Sequence, residues 1–340
     1  MSLLGSANST LLFIVGSDRS DYVARVGSKV KLGGSTDLFK LLGDVPYHRL
    51  HITPNFFRQS RRPELDHYHC LFNMITEAEQ NSKVLENMRK LLRNLPGKVI
   101  NRPEAVLRST RDQVARQLSG IAGLLVPKAI RLRGAKTAVS LQAIERAGVS
   151  FPLILREAGT HTGRIVGRFD SIDSLREALE LATGELIATE FVDFRSADGL
   201  YRKYRFFFIG QRLIFRHMLA SDDWNVHAKD RARVMAPRPE LLEEEERLFG
   251  RPEGEFPAAV HTVLGDVRER MPLDYFGMDF GIARDGQVVL FEANATMNFF
   301  PFLEDPRFAY VKQCLEPAQQ ALRELIGIGV PVRTAELGEA

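Results

Sequence analysis

Two carboxylates and one amide stand close together near the carboxyl end of the chain: Asp279, Glu292 and Asn294. The apolar segments that carry the two carboxylates are joined by Arg284-Asp285-Gly286, and an Asp-Gly pair is typical of a tight hairpin turn. Such a hairpin would place Asp279 and Glu292 at matching positions, with Asn294 two residues further along the same strand face. These oxygens are ligands that Mg²⁺ takes, commonly together with substrate phosphates. The pattern predicts a magnesium site; the ordinary polarity of a hairpin is the alternative.

A second group of residues has the chemistry of a phosphate site. Arg156 follows a short apolar run and precedes a loop that contains Gly159 and Gly163. Glycine-loop N–H groups and a guanidinium both bind anions, and His161 and Thr162 add side-chain donors. Considered alone, this loop is more often a surface hairpin.

Composition excludes several classes of protein. The 340 residues are 44% hydrophobic and 26% charged, which is typical of a globular chain and not of a disordered or fibrous one. The net charge of +3 is too small for a dedicated nucleic-acid binder, and no apolar run approaches the ~18–20 residues of a membrane-spanning helix. Cys70 and Cys314 are too few for a disulfide framework and too far apart for a metal knuckle. We therefore expect a cytoplasmic protein with neither a nucleic-acid nor a membrane partner.

The elements that must position these residues begin with a small α/β unit. Apolar runs at 11–15, 45–52, 69–75 and 99–100 alternate with an amphipathic helix predicted over 78–95. This alternation favours a parallel sheet. A domain boundary is expected near Pro103. Downstream, the sequence predicts helices over 111–120, 142–148, 174–181, 241–249, 258–271 and 310–326, strands over 151–156 and 187–192, and hairpins over 201–218 and 276–292.

The order of these features resembles the ATP-grasp superfamily of carboxylate–amine ligases, over roughly residues 99 to 326. The resemblance implies an α/β (α+β) chain with an ATP-grasp fold. It further implies a Rossmann-like pre-ATP-grasp α/β domain over 1–103, an ATP-grasp domain over 104–330, and a tail over 331–340. Within the ATP-grasp domain, the lid subdomain would span about 120–190 and the C-terminal subdomain about 191–330.

The resemblance also implies ATP and two Mg²⁺ ions as cofactors and assigns roles to residues. Asp279, Glu292 and Asn294 would hold the ions, and Arg156 stands where the family usually has a phosphate-binding lysine. The family's second lysine is Gln113 here, so Arg111 would substitute for it. The remaining assignments are a loop closing over the phosphates (Gly159, His161, Thr162, Gly163), a hinge for adenine (Glu190, Phe191, Val192), a ribose contact (Asp198 or Lys203) and contacts to the transferred phosphate or the acid (Arg205, His217).

The implied activity is amide or peptide bond formation through an acyl phosphate, with a small molecule or peptide supplying the carboxylate and the amine. The segment between Arg202 and His227 is expected to recognise the acid, with Arg205 and His217 facing inward as cations. A kinase on the same fold and a non-catalytic nucleotide-binding module are the alternatives. A homodimer is left open.

Overall fold

The structure is a computed structural model that describes residues 11–19, 23–26, 29–32, 36, 38–58, 62–95, 97–134, 136–158, 164–250 and 252–328. The predicted phosphate loop, Gly159 to Gly163, and the predicted tail lie outside the described residues. No helix in the described part of the chain combines the length and the apolar character needed to cross a membrane.

Fifteen strands and nine α-helices are described. The strands are β1 (Leu11–Gly16), β2 (Val23–Val26), β3 (Lys29–Leu32), β4 (His48–Ile52), β5 (Cys70–Asn73), β6 (Lys98–Ile100), β7 (Leu124–Leu125), β8 (Ala129–Arg133), β9 (Leu153–Glu157), β10 (Ile165–Phe169), β11 (Glu185–Glu190), β12 (Tyr201–Ile209), β13 (Arg212–Ser221), β14 (Tyr275–Ile282) and β15 (Val288–Asn294). The helices are α1 (Ser82–Leu92), α2 (Pro103–Leu107), α3 (Arg111–Leu118), α4 (Thr137–Arg146), α5 (Ile172–Leu181), α6 (Pro239–Gly250), α7 (Pro252–Glu255), α8 (Ala258–Arg270) and α9 (Leu315–Ile326).

The first sheet has the order β4-β1-β5-β6, and all its pairs are parallel, as the strand–helix alternation predicts. Helix α1 packs on it through an apolar stripe that includes Val84 and Met88. The N-terminus of α1 is capped from the end of β1, because the amides of Lys83 and Val84 donate to the Asp18 carboxylate at 2.8 and 2.7 Å. This carboxylate fills the position where a helix N-terminus would otherwise receive an anion.

The second sheet, β10-β9-β11-β8, is antiparallel and has helices on one face. Ile144 of α4 and Leu175 of α5 pack there against Leu153 and Leu155. The alternate residues of the strands therefore face away from these helices. Strands β8 and β10 are not predicted by the sequence analysis, because a charged or glycine residue interrupts each short apolar run.

The third sheet, β13-β12-β14-β15-β7, contains both predicted hairpins, β12–β13 and β14–β15. Strand β7 adds to its edge in parallel. Three of the predicted helices are wrong in extent. The helix expected over 78–95 spans only Ser82–Leu92. The helix expected over 142–148 begins at Thr137, and the one expected over 310–326 is a 3-10 helix, Pro306–Cys314, followed by α9.

Asn101 joins the first sheet to the third. It is fully buried at the end of β6 and has a left-handed backbone (φ 51°), a conformation that asparagine tolerates better than most residues. Its side-chain amide donates to the Tyr275 carbonyl at 2.7 Å and accepts from the amides of Asp274 and Tyr275 at 2.9 and 3.0 Å. One side chain thus satisfies three backbone groups at the start of β14.

We expect Asn101→Ala to destabilise the protein more than Asn101→Gly. Both variants lose the three hydrogen bonds and leave buried backbone groups unpaired, at about 1–3 kcal/mol for each group. Alanine additionally strains the left-handed backbone, which costs roughly 1 kcal/mol more. Urea unfolding of the two variants measures the difference, and equal stability of Asn101→Ala and the parent protein would contradict this role.

Candidate functional site

One row of four residues crosses the third sheet. The register pairs His217 of β13 with Arg205 of β12, Arg205 with Asp279 of β14, and Asp279 with Glu292 of β15. Directly paired residues of neighbouring strands point to the same side of a sheet. The row therefore brings together both carboxylates predicted by the sequence analysis and two residues of the predicted acid-binding segment.

Asp279 lies buried in this row, with 4% of its surface exposed. Arg205 grips its two oxygens, with Nε at 2.5 Å and Nη2 at 2.8 Å, and Lys203 Nζ lies 3.6 Å from Oδ2. Burial alone would raise the pKa of Asp279, but the charges and hydrogen bonds of Arg205 and Lys203 outweigh it and hold the pKa below its usual value. Asp279 is therefore an ionised carboxylate that already has two cations.

Glu292, at the β15 end of the row, contacts α3. Arg111 Nη2 lies 3.0 Å from its Oε1, and Arg111 Nη1 donates to the Phe291 carbonyl at 2.6 Å. Burial, and then the charge of the neighbouring Arg111, lower the pKa of Arg156 on β9 to about 10. Buried Arg156 Nε has no hydrogen-bond partner within the described residues. Arg111 is thus paired with Glu292, whereas Arg156, which lines the same cleft, keeps one guanidinium nitrogen without a partner in the described part of the chain.

These groups line a cleft between the three sheets. Its wall includes Thr76 of the first unit, Arg111 of α3, Arg156 and Thr189 of the second sheet, and Glu292 of the third. The buried, unpartnered Nε of Arg156, in the same lining as Arg111, fits a bound anion such as a phosphate chain.

The predicted magnesium ligands fit a divalent cation only in part. Asn294 is unsuited as arranged, because its side-chain oxygen already accepts from the amides of Thr296 and Met297 at 2.9 and 3.0 Å. Both Asp279 oxygens are bound by cations. Glu292 fits, since a single carboxylate together with substrate phosphates is a common magnesium site. The described residues contain no cluster of three or more His, Cys, Asp or Glu side chains that would form a metal site unaided.

The predicted hinge residues lie where β11 leaves the second sheet. The Glu190 carboxylate accepts from the amides of Lys128 and Ser150 at 3.1 and 3.0 Å, and the amide of Phe191 donates to the Pro152 carbonyl at 2.8 Å. The carboxylate of Glu190, expected to contact adenine, therefore links the segments that lead into β8 and β9. Half-buried Val192 follows Phe191 as the chain leaves the sheet.

The Phe191 ring is held from both sides. The Arg168 guanidinium lies over it, 4.2 Å from the ring centroid, and the ring of Trp224 meets it edge-on at 5.7 Å. Trp224 is the only tryptophan of the chain. Its fluorescence will therefore report directly on changes at the hinge.

The structure separates the two residues expected near a ribose. Asp198 receives Arg202 Nη1 and Nη2 at 2.9 and 2.8 Å, and both line a surface depression apart from the cleft. Lys203 instead lies in the charged row beside Asp279. Of the two, only Lys203 lies beside Asp279 and Arg205.

His217 faces the same side as Arg205, but it does not supply the positive charge expected of it. Burial, and then the charge of Arg205, lower the pKa of its imidazole well below the usual value. The ring is therefore neutral at pH 7, with Nε2 buried and without a partner among the described residues. A neutral imidazole can donate or accept one hydrogen bond at each ring nitrogen, depending on its tautomer.

Sequence reasoning missed Arg131, which reaches from β8 across the cleft face of the second sheet. It forms ion pairs with Glu79 of the first unit, with Glu185 of β11 at 3.1 Å, and with Asp112 of α3 at 3.6 Å. The available signal was the alternation of charge in the sequence Ala129-Ile-Arg-Leu-Arg133. Arg131 connects the second sheet to the rest of the cleft wall.

The depressed pKa of His217 predicts a pH dependence of stability. Below pH 6.5 the unfolded chain binds a proton at this residue and the folded chain does not, so stability falls as the pH falls. One such group costs about 1 kcal/mol between pH 6.5 and 5.5. We expect His217→Gln to remove this part of the pH dependence of the unfolding free energy, and His67→Gln, at an exposed site, to leave it in place. An unchanged pH profile in His217→Gln would contradict the assignment.

The chain was compared with known proteins. No protein-family profile matches it, and no curated protein sequence matches it. Among solved structures, it is similar to a D-Ala:D-Ser ligase from Enterococcus faecalis, with 14% identity, a TM-score of 0.51, and coverage of 94% of this chain and 100% of that one. It is also similar to an N5-carboxyaminoimidazole ribonucleotide synthetase in complex with ADP, with 12% identity, a TM-score of 0.50, and coverage of 94% and 78%.

Identities this low carry the fold and not the substrates. The similarity covers 94% of the chain in both cases. The chain therefore has the ATP-grasp fold that its sequence motifs predict.

Proposed function

We propose that this protein is an ADP-forming ligase that joins a carboxylate to an amine at the expense of ATP. The observation that carries the proposal is that Arg111, paired with Glu292, and Arg156, with a buried and unpartnered guanidinium nitrogen, line one cleft. Two guanidiniums in one cleft suit the oxygens of a polyphosphate. The fold supports the nucleotide, because a solved structure of the same fold is a complex with ADP.

In this proposal the triphosphate lies between the second and third sheets. Arg156 and Arg111 bind its oxygens in the bidentate geometry that a guanidinium offers. Adenine lies at the hinge, beside Phe191 and the backbone of Val192. Glu292 would hold a magnesium ion, which when bound supplies charge neutralisation to the phosphates.

The proposed reaction has two steps. A carboxylate oxygen of the acid attacks the γ-phosphorus, the bond to the β–γ bridging oxygen breaks, and ADP leaves. The amine nitrogen then attacks the acyl carbon, phosphate departs with the bonding electrons, and the nitrogen loses a proton. The chain contributes position and charge to these steps, with no covalent intermediate on the enzyme. Arg205 and Lys203, beside the expected position of the γ-phosphate, hold the acid in line, and His217 offers it a hydrogen bond.

Dependence on the amine separates this proposal from its alternatives. A ligase requires acid and amine together for full ADP release, whereas a kinase on this fold releases ADP without the amine. A non-catalytic binding module has a higher melting temperature when nucleotide is bound, but it releases no ADP. A library of amino acids and short peptides, with mass spectrometry of the condensed products, identifies both substrates and is the central test.

Arg156→Ala is expected to weaken ATP binding by roughly ten- to a hundredfold, since a charged hydrogen bond contributes about 1.5–3 kcal/mol. Quenching of Trp224 fluorescence by ATP, confirmed by calorimetry, measures the affinity. The matched control is Arg212→Ala, which removes an exposed guanidinium paired with Glu324, far from the cleft. Equal affinity in Arg156→Ala and the parent protein would make Arg156 a structural residue.

Glu292→Gln is expected to abolish ADP formation and leave the melting temperature within a few degrees of that of the parent. The amide keeps the shape of the side chain but removes the charge that a hard cation needs. ADP release is measured with the acid and amine found in the screen. Near-normal ADP formation by this variant would remove Glu292 from the catalytic site.

A further inference from the structure

The charges around Asp279 are already balanced by the chain itself. Arg205 and Lys203 bring two positive charges to this carboxylate, which is the charge that one divalent cation would bring. Arg205 binds in the two-pronged geometry that makes guanidinium–carboxylate pairs strong. Its own pKa is raised, because the attraction and hydrogen bonds of Asp279 outweigh the effect of burial.

A metal ion bound through both oxygens of Asp279 would have to displace this pair, because Arg205 and Lys203 take about three of the four lone-pair positions of the carboxylate. Asp279 is 4% exposed, and only 21% of the Arg205 side chain is exposed. Displacement would therefore leave a largely buried guanidinium without its counter-charge, which is strongly unfavourable. Mg²⁺ also gives up its water reluctantly and demands near-octahedral geometry, so it competes poorly for a carboxylate that is already held at both oxygens.

Asn294 does not compensate for the loss of Asp279 as a ligand. An amide oxygen has two lone pairs, and the amides of Thr296 and Met297 use both. Glu292 is different, because its ion pair with Arg111 uses Oε1, and Oε2 remains for a cation. Among the predicted ligands, one carboxylate is thus left for a metal.

We infer that the site takes one divalent cation, on Glu292, and that Arg205 with Lys203 occupies the place of a second ion beside the reacting phosphate. This inference rests on the proposed function and sets its metal requirement. Because Arg205 and Lys203 already hold the oxygens of Asp279, this carboxylate positions Arg205 and does not bind a metal ion. Activity should then follow the saturation of a single metal site.

The test counts Mn²⁺ ions by electron paramagnetic resonance, with the protein saturated by the non-hydrolysable analogue adenylyl imidodiphosphate. We expect one bound Mn²⁺ per chain. Two bound ions of comparable affinity would overturn the inference while leaving the proposed ligase intact. Failure of the analogue to change Trp224 fluorescence would instead overturn the proposed function, and the inference with it.

Two variants make the count decisive. In Arg205→Met/Lys203→Met, Asp279 loses both cations, and we expect a second Mn²⁺ to bind; the control Arg212→Met keeps one. In Asp279→Asn we expect the count to remain at one, whereas an arrangement with two ions bridged by Asp279 predicts a fall from two to one. Asp279→Asn keeps the test falsifiable if the double variant does not fold. A lower Mn²⁺ count in Asp279→Asn than in the parent protein contradicts the inference. The absence of a second bound Mn²⁺ in a folded Arg205→Met/Lys203→Met variant also contradicts it.

Discussion

Two carboxylates at directly paired positions of neighbouring strands are the constraint on which the cleft depends. Asp279 and Glu292 face each other across β14 and β15, and like charges directly opposite each other destabilise a sheet. Asp279 is also buried, where an unpaired charge is costly. The hairpin can therefore form only if each carboxylate meets a cation from elsewhere in the fold.

The cations that solve this problem come from different elements and thereby fix the elements relative to one another. Arg205 and Lys203 reach Asp279 from the neighbouring strand β12, whereas Arg111 reaches Glu292 from α3. Charge balance at the hairpin thus positions α3 against the third sheet. Asn101 makes the equivalent uncharged link between the first sheet and β14.

How much of this could be predicted from the sequence depends on the distance over which each interaction acts. The Asp-Gly turn and the period of two bring Asp279 and Glu292 together, because both are properties of one short segment. The partner of each carboxylate could not be predicted, since Arg205 is 74 residues from Asp279 along the chain. For the same reason Glu190, whose carboxylate accepts from the amides of Lys128 and Ser150, resembles a ligand-binding acid in the sequence. The charge of His217 is likewise decided by burial and by neighbours from other strands.

The same electrostatics bear on how the second sheet meets the rest of the cleft. Arg131 joins that sheet by ion pairs to Glu79 of the first unit and to Asp112 of α3, and partly exposed ion pairs contribute about 1 kcal/mol or less each. Against them acts the repulsion between Arg156 on the second sheet and Arg111 on α3, which is the second cause, after burial, of the lowered pKa of Arg156. An anion bound between the two guanidiniums would replace that repulsion with two attractions. The polyphosphate of the proposed function would therefore strengthen the contact between the second sheet and α3.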